Sequence, residues 1–415
     1  MNELNPNLPF HTFHKNILAE DEHEIRNLDS VMAAMNSVLD TPTVLEAAIM
    51  PDACPVGKDE IPVGGVVVTW NAIHPRMHSA DVCCSVMATD LGYADPKMVL
   101  DLAQAVTHFG IGGRSPDFEI GLPENLKARI EANPFLNNQK SLFCAQSHLG
   151  TQGDGNHFLF VGRSKNTGRT MLVTHHGSRG FGANLYKEGV RVAESFLKKI
   201  DPKVNPKNAW IPADTQEGHD YWEALQIVRC WTKYNHIVIH DVVEQVSWAD
   251  RVSRFWNEHN FVFRDGDRFY HAKGATPMCN KFVPDSIDGL RLIPLNMGQP
   301  ILIAKAVPDA RLTNGIGFAP HGAGRNFSRT EHKRTKLVGK TVEEVFAEET
   351  AGLDVRFYSG KIDVSELPSA YKDAEKVKDQ IRHFNLATIV DEIMPYGCIM
   401  AGEMEKPWQK KKESK

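Results

Sequence analysis

Residues 218–248, GHDYWEALQIVRCWTKYNHIVIHDVVEQVSW, hold no Gly or Pro after their first residue and predict one long helix. Segments of the opposite kind lie on both sides of it. Residues 64–70 (GGVVVTW), 171–174 (MLVT) and 261–263 (FVF) are β-branched or apolar runs bounded by Gly, Asn, Asp or His, as strands are. Residues 28–39 are apolar at helical spacing and 182–200 are amphipathic. Thr341 followed by Glu344 makes a capping box that opens a further helix. The order is neither a regular βαβ alternation nor an all-helical array, so a mixed α+β fold is expected.

The chain has 415 residues, 42% hydrophobic and 24% charged, the composition of a soluble globular protein. Its formal charge of -5 argues against a generally basic, nucleic-acid-coating surface but leaves room for a local basic channel. No apolar stretch reaches bilayer length, and MNELNPNLPFHTFHK has no basic head followed by an apolar run, so a cytoplasmic protein with no membrane partner is expected. The seven cysteines are odd in number, sparse, and form no paired CxxC, which predicts reduced thiols. Without an internal repeat or a Pro/Gly/Ser linker, residues 1–404 read as one domain. The Lys-rich residues 405–415 read as a solvated, flexible tail.

Four polar segments place a metal-capable side chain beside small or polar residues: HSADVCC (78–84), GDGNHF (153–158), THHGSRG (174–180) and NEHNF (257–261). A lone His beside Gly or Asn is ordinarily a hydrogen-bonded turn residue, and Asp-x-x-Cys alone says little. Their joint occurrence is what points to metal. A fifth segment, HGAGRNFSRT (321–330), joins a histidine to two glycines and two arginines, combining close backbone approach with fixed cations in a way that suits phosphate. Standing alone it reads equally well as a Gly-rich surface turn.

Taken in order, the set resembles the RtcB family of RNA ligases. It runs from MPD (50–52) through DVCC (81–84), GNHF (155–158), HHGSRG (175–180), HN (259–260) and KGA (273–275) to HGAGR (321–325) and PSAYK (368–372). The resemblance implies an RtcB-like α+β fold, with mixed and antiparallel sheets around a central metal cleft and helices at the periphery. It implies joining of RNA 3′-phosphate or 2′,3′-cyclic phosphate ends to 5′-hydroxyl ends, in tRNA splicing or RNA repair, with GTP as cosubstrate. In that scheme His321 attacks the α-phosphate of GTP and carries GMP, which passes to the RNA 3′-phosphate before the 5′-hydroxyl attacks. Cys84 bridges two ions, with His175 and His259 on one side and Asp81 and His157 on the other. The family spacing selects Cys84 over its neighbour Cys83. Thiolate and imidazole alone would permit zinc, whereas the resemblance implies manganese, two ions per active site. It also implies phosphate contacts from Arg179, Arg325 and Arg329, and a nucleotide site from Asn156, Lys273, Asn296, His321, Gly322, Ala323, Gly324, Arg325, Tyr371 and Met400. Asp52 is placed to assist proton transfer.

The departures from the family pattern cluster. Asn-His-Phe-x-Glu, whose Glu reads guanine, is Asn156-His157-Phe158-Leu159-Phe160 here, and Phe160 accepts no hydrogen bond. A Gly-Ser-Met-Gly segment appears as Leu295-Asn296-Met297-Gly298, Met400 stands where a nucleotide-contacting lysine is expected, and Met-Pro-Asp-Val-His becomes Met50-Pro51-Asp52-Ala53-Cys54. Guanine selectivity is therefore not carried over. The pair His236 and His240, at i, i+4, could form a separate metal site, but no general-base Glu follows His236 and polar residues facing a cleft or solvent are the simpler reading. Three functions remain: a GTP- and manganese-dependent ligase, a metal-dependent phosphodiesterase that opens cyclic phosphates, and a non-catalytic binder of RNA ends. An accessory protein partner is left open.

Overall fold

The computed structural model describes residues 12–57, 60–115 and 120–404, so the basic tail at 405–415 lies outside the described residues. It contains both helices and sheets, as the mixed pattern predicts. One sheet has five strands in the spatial order Thr12–Lys15, Val44–Cys54, Val63–Trp70, Arg268–Lys273 and Asn260–Asp265. The larger sheet has eight. Its path runs Ser253–Glu258, Ser85–Asp90, Thr170–His176, Phe158–Ser164, Thr388–Met400, Ile301–Lys305 and Arg291–Pro294, and Asp354–Phe357 pairs with the far half of Thr388–Met400.

Both sheets are largely buried, so their strands lack clean alternation and read as continuous apolar runs. The helix Glu22–Leu39 covers the small sheet, seating Leu28, Val31, Met35 and Val38 against Val44, Ala47, Ile49 and Val67. It starts at Asp21, whose side chain accepts the His23 and Glu24 amide protons. The predicted long helix spans Gln216–Ser247, capped by the Thr215 hydroxyl on the Gly218 amide and ended by Trp248 in the left-handed region at φ 52°. The capping box at Thr341 and Glu344 is formed at the start of Val342–Glu349.

His236 and His240 on the long helix face neither a cleft nor solvent. Both are fully buried against the large sheet. His236 Nδ1 and His240 Nε2 lie 2.6 and 2.8 Å from the Thr174 hydroxyl, His236 Nε2 lies 3.0 Å from Ser85 Oγ, and His240 Nδ1 lies 2.7 Å from Thr89 Oγ1. Strand hydroxyls thus satisfy all four ring nitrogens, and burial holds both pKa values well below the usual histidine range, so these are neutral core histidines.

The two sheets meet at a corner. The chain leaves the large sheet at Glu258, turns at His259 and enters the small sheet at Asn260. Cys84, His157 and His321 each sit one residue beyond a strand end near that corner, and His175 is the last residue but one of its strand beside them.

Candidate functional site

Backbone hydrogen bonds lock the corner before any side chain is considered. The His259 amide donates to Cys84 O (2.8 Å), Cys83 N to Asn260 O (2.6 Å), and Ala275 N to His259 O (3.0 Å). This lattice brings Cys84 Sγ to 3.2 Å from His175 Nε2 and 3.7 Å from His157 Nε2. His175 Nε2 in turn lies 3.2 Å from His259 Nε2, and His157 Nε2 lies 3.0 Å from Asp81 Oδ2.

Two donor groups result, Cys84 with His175 and His259, and Cys84 with Asp81 and His157, each with its atoms within 4.8 Å of one another. Cys84 belongs to both, so its sulfur is the shared donor. The sequence-predicted five come together in that arrangement. Cys83, held at φ 59°, turns instead toward Thr232, Glu258 and Arg229 in the core.

The donor chemistry fits cations. Burial pushes His175 down to about 3 and His259 well below the usual imidazole range, so both rings are neutral at pH 7 and carry a lone pair for a metal. His175 Nδ1 is 3.2 Å from the Asn156 carbonyl, which fixes that nitrogen as the donor and leaves Nε2 for the site. Burial raises Asp81 while His157, Cys84 and Arg179 lower it, and the lowering wins, leaving a carboxylate at about 2. Burial and then the Asp81 charge push the Cys84 thiol up, so it ionises only against a cation. Five donors clustered in this way, three imidazoles, a carboxylate and a shared thiol, could hold metal ions.

His321 stands beside this centre, its ring centroid 4.9 Å from that of His259. It follows the short strand Phe318–Pro320, which pairs with Ala275–Pro277. The buried Asp52 carboxylate fixes it twice, with Oδ2 accepting from His321 N at 3.1 Å and lying 2.6 Å from Nδ1. Nδ1 is thereby engaged and Nε2 is the nitrogen left for chemistry. Gly324, at φ 73°, passes so close to the Asp52 strand that a Cβ there would lie 2.1 Å from Asp52 O. Here glycine serves packing of the His321 loop onto Asp52, a role its sequence reading as a phosphate loop did not show. Lys372 holds the same strand by donating to Pro51 O and Ala53 O at 2.9 and 2.7 Å.

A cavity of about 290 Å³ opens on these groups. Asn156, Lys273, Asn296, His321, Gly322, Ala323, Gly324, Arg325, Tyr371 and Met400 all line it. Lys273 is buried, donates to Ile61 O at 3.0 Å, and has its pKa lowered by that burial. Asn296 Oδ1 accepts from the Gly298 amide at 2.9 Å, which fixes the orientation of its side-chain amide.

The arginines divide. Arg325 gives its Nε and Nη2 to Phe327 O and Ser365 O at 3.3 and 2.6 Å and lies 5.2 Å over the Tyr371 ring, so most of its guanidinium is committed to the protein. Arg329 keeps a half-exposed side chain and ion-pairs with Glu366. Glu366 is the residue that sequence reasoning missed. It is 2% exposed, lines the cavity, accepts from the Tyr371 hydroxyl at 2.5 Å, and lies 3.5 Å from Arg325 Nη1. Arg179 lies outside this cavity lining, with Nη2 on Gly110 O at 2.8 Å.

The far end of the cavity is apolar. In the large sheet Phe158 is opposite both His175 and Met400, and Phe160 is opposite both Val173 and Cys398. Phe158, Phe160, Cys398 and Met400 therefore form a floor that starts directly beside His175 of the donor cluster, with Met297 and Ile301 completing the wall.

The family model described as "RtcB: tRNA-splicing ligase RtcB" matches residues 124–401, a span that holds His157, His175, His259 and His321, while Asp52, Asp81 and Cys84 precede it. The tRNA-splicing ligase RtcB of Archaeoglobus fulgidus is 26% identical over 90% of this chain and 91% of its own length. That of Pyrobaculum aerophilum is 26% identical over 81% of this chain and 84% of its own. That of Aeropyrum pernix is 27% identical over 60% of this chain, and the match spans 58% of that protein. With more than half of its residues inside the family match and the donor set at the sheet corner, the chain belongs to the RtcB family.

Proposed function

We propose that this chain is a two-metal RNA ligase that seals 3′-phosphate or 2′,3′-cyclic phosphate ends to 5′-hydroxyl ends through a nucleotide carried on His321. The observation that supports it most is the pairing of His321 with Asp52 one ring away from the shared-thiolate donor set. Two manganese ions, when bound to Cys84, His175, His259, Asp81 and His157, supply charge stabilisation at phosphate oxygens.

The chain's own residues do the rest. Asp52 holds the His321 Nδ1 proton, so the Nε2 lone pair attacks the α-phosphorus of a nucleoside triphosphate, forming a P–N bond as pyrophosphate leaves. An oxygen of the RNA 3′-phosphate then attacks that phosphorus, the P–N bond breaks, and the imidazole is regenerated. The 5′-hydroxyl finally attacks the activated 3′-phosphate, loses its proton and expels the nucleoside monophosphate. A cyclic end must first take up water to become a 3′-phosphate. Arg329, anchored by Glu366 yet half-exposed, offers its remaining N–H groups to phosphate.

Incubating the protein with manganese and each α-labelled nucleoside triphosphate tests this. Acid-labile label on His321 is the expected result. Metal-loaded protein that takes label from no nucleotide, yet opens cyclic phosphates, would establish the phosphodiesterase reading, which the apolar end of the cavity favours.

The same labels read the base. GTP is the cosubstrate of the proposal, but Phe160 and Met400 give the base no hydrogen-bonding partner. Labelling efficiencies should therefore differ by less than about a hundredfold between GTP and ATP, below what a site with buried polar readout reaches. A larger guanine preference would assign base reading to other groups.

A further inference from the structure

Beside the metal centre, and away from the cavity just described, lies a second group of cations. Gly153 is the joint between the two. A Cβ on it would sit 2.0 Å from Arg179 Nη1 and 2.7 Å from His157 Nδ1, so the arginine and the metal-site histidine flank the same glycine. The Gly153 carbonyl accepts from the Gly110 amide at 2.7 Å, and the Gly110 carbonyl accepts from Arg179 Nη2 at 2.8 Å. Arg114 follows in the same loop, FGIGGRS (109–115), with Nε and Nη2 on Gly150 O at 3.1 and 2.8 Å.

These guanidiniums share an unusual state. Both are partly buried, both are fixed largely by backbone carbonyls, and among the described residues neither forms an ion pair with a carboxylate. The Asp81 and Asp154 carboxylates act on Arg179 from beyond ion-pair distance and none acts on Arg114, so these partly desolvated, carbonyl-fixed cations are preorganised for an anion from outside the chain. Aromatic surface adjoins them. His108 packs edge-on to Tyr358 at 6.0 Å between ring centroids, Phe109 lies 5.6 Å from Tyr358, and the Tyr358 side chain is exposed.

Rigid cations next to an exposed ring, continuous with a phosphate-handling centre, have the composition of a single-strand nucleic-acid track, in which phosphates meet cations and a base stacks on the ring. We propose that Arg179, Arg114, His108 and Tyr358 form the subsite for the RNA strand that leads away from the reacting end. Arg179 receives the phosphate nearest the metals, Arg114 the next, and Tyr358 stacks a base beyond. This rests on the reading of the centre as one that handles RNA ends and adds the path of the strand.

Binding of single-stranded RNA of two and of ten nucleotides, each with a 3′-phosphate, tests it on the full chain loaded with manganese. Tyr358→Ala should weaken the ten-nucleotide strand about tenfold and the dinucleotide by no more than about twofold, while Tyr358→Phe should keep wild-type affinity for both. Arg114→Gln should weaken the longer strand and lower its dependence of log Kd on log salt by about 0.7, the signature of one lost phosphate contact on a single strand. Should Arg114→Gln not fold, the exposed Tyr358 still decides the matter. Equal losses for the two lengths, or none for the longer, would overturn the subsite. If the wild-type protein bound neither strand, the ligase reading itself would fall instead.

Discussion

Cys84→Ala is expected to lose both metal ions, whereas Cys83→Ala keeps them. The Cys84 sulfur belongs to both donor groups, leaving only His175 with His259 on one side and Asp81 with His157 on the other. Even partners outside the ligand shell typically change metal affinity by roughly ten- to a hundredfold, and removal of a shared ligand should exceed that at both positions. Cys83 is as close in sequence as a residue can be, but its thiol faces Thr232 and Glu258 in the core. Cys83→Ala should therefore cost about 1 kcal/mol of packing and leave the metal content at two per chain. Metal analysis of the purified variants, with thermal unfolding as the control for folding, separates the outcomes. Two fully occupied ions in Cys84→Ala would exclude sulfur as the bridge.

The contrast between these adjacent cysteines shows how far the chain can be read before it is folded. The five clustered donors were legible because each stands in a short polar motif at or near a strand end, where side-chain chemistry is not confounded with core packing. The long helix was legible for a different reason, the absence of Gly and Pro after residue 218, although its beginning at Gln216 depends on the Thr215 cap. Residues 28–39 showed the buried part of the first helix, yet the helix starts at Glu22, because its first turns are polar and carry no apolar signal.

The strand Thr388–Met400 was not legible at all. Pro395 and Gly397 interrupt it, and a register shift between them absorbs the irregularity that sequence patterning reads as a break. That strand carries Cys398 and Met400 to the cavity floor, so the extent of the apolar end was hidden with it. Phe160 and Met400 could be singled out by resemblance, but their shared floor with Phe158 and Cys398 is a product of cross-strand register over more than two hundred residues. Glu366 was hidden for a similar reason: nothing local marks a glutamate in a single 3₁₀ turn as the buried counter-ion of Arg325 and Arg329. The histidines on the long helix show the converse, a motif with metal spacing whose partners turn out to be Ser85, Thr89 and Thr174.

His321→Ala should abolish self-labelling and reduce sealing of a 3′-phosphate end by at least roughly a thousandfold, yet still seal RNA whose 3′ end is supplied already nucleotidylated. The two halves of this expectation come from different parts of the site. Transfer of the nucleotide needs the imidazole that Asp52 holds through Nδ1. The last step needs only a 5′-hydroxyl, an activated phosphate, and charge stabilisation at the donor set and Arg329, none of which contains His321. Its ring touches the centre at the His259 ring without sharing a donor atom in either metal group, so metal content should stay at two. Asp52 loses the imidazole and keeps only the residue-321 amide on Oδ2, with Oδ1 unpaired as before, which should lower the unfolding temperature by a few degrees without blocking the chemistry of the last step. Gel analysis with the two RNA donors, one bearing a 3′-phosphate and one a nucleotidylated end, reads both halves at once. Sealing of the 3′-phosphate donor by the variant, or failure to seal the activated donor while both ions remain bound, would show that His321 does not divide the reaction in this way.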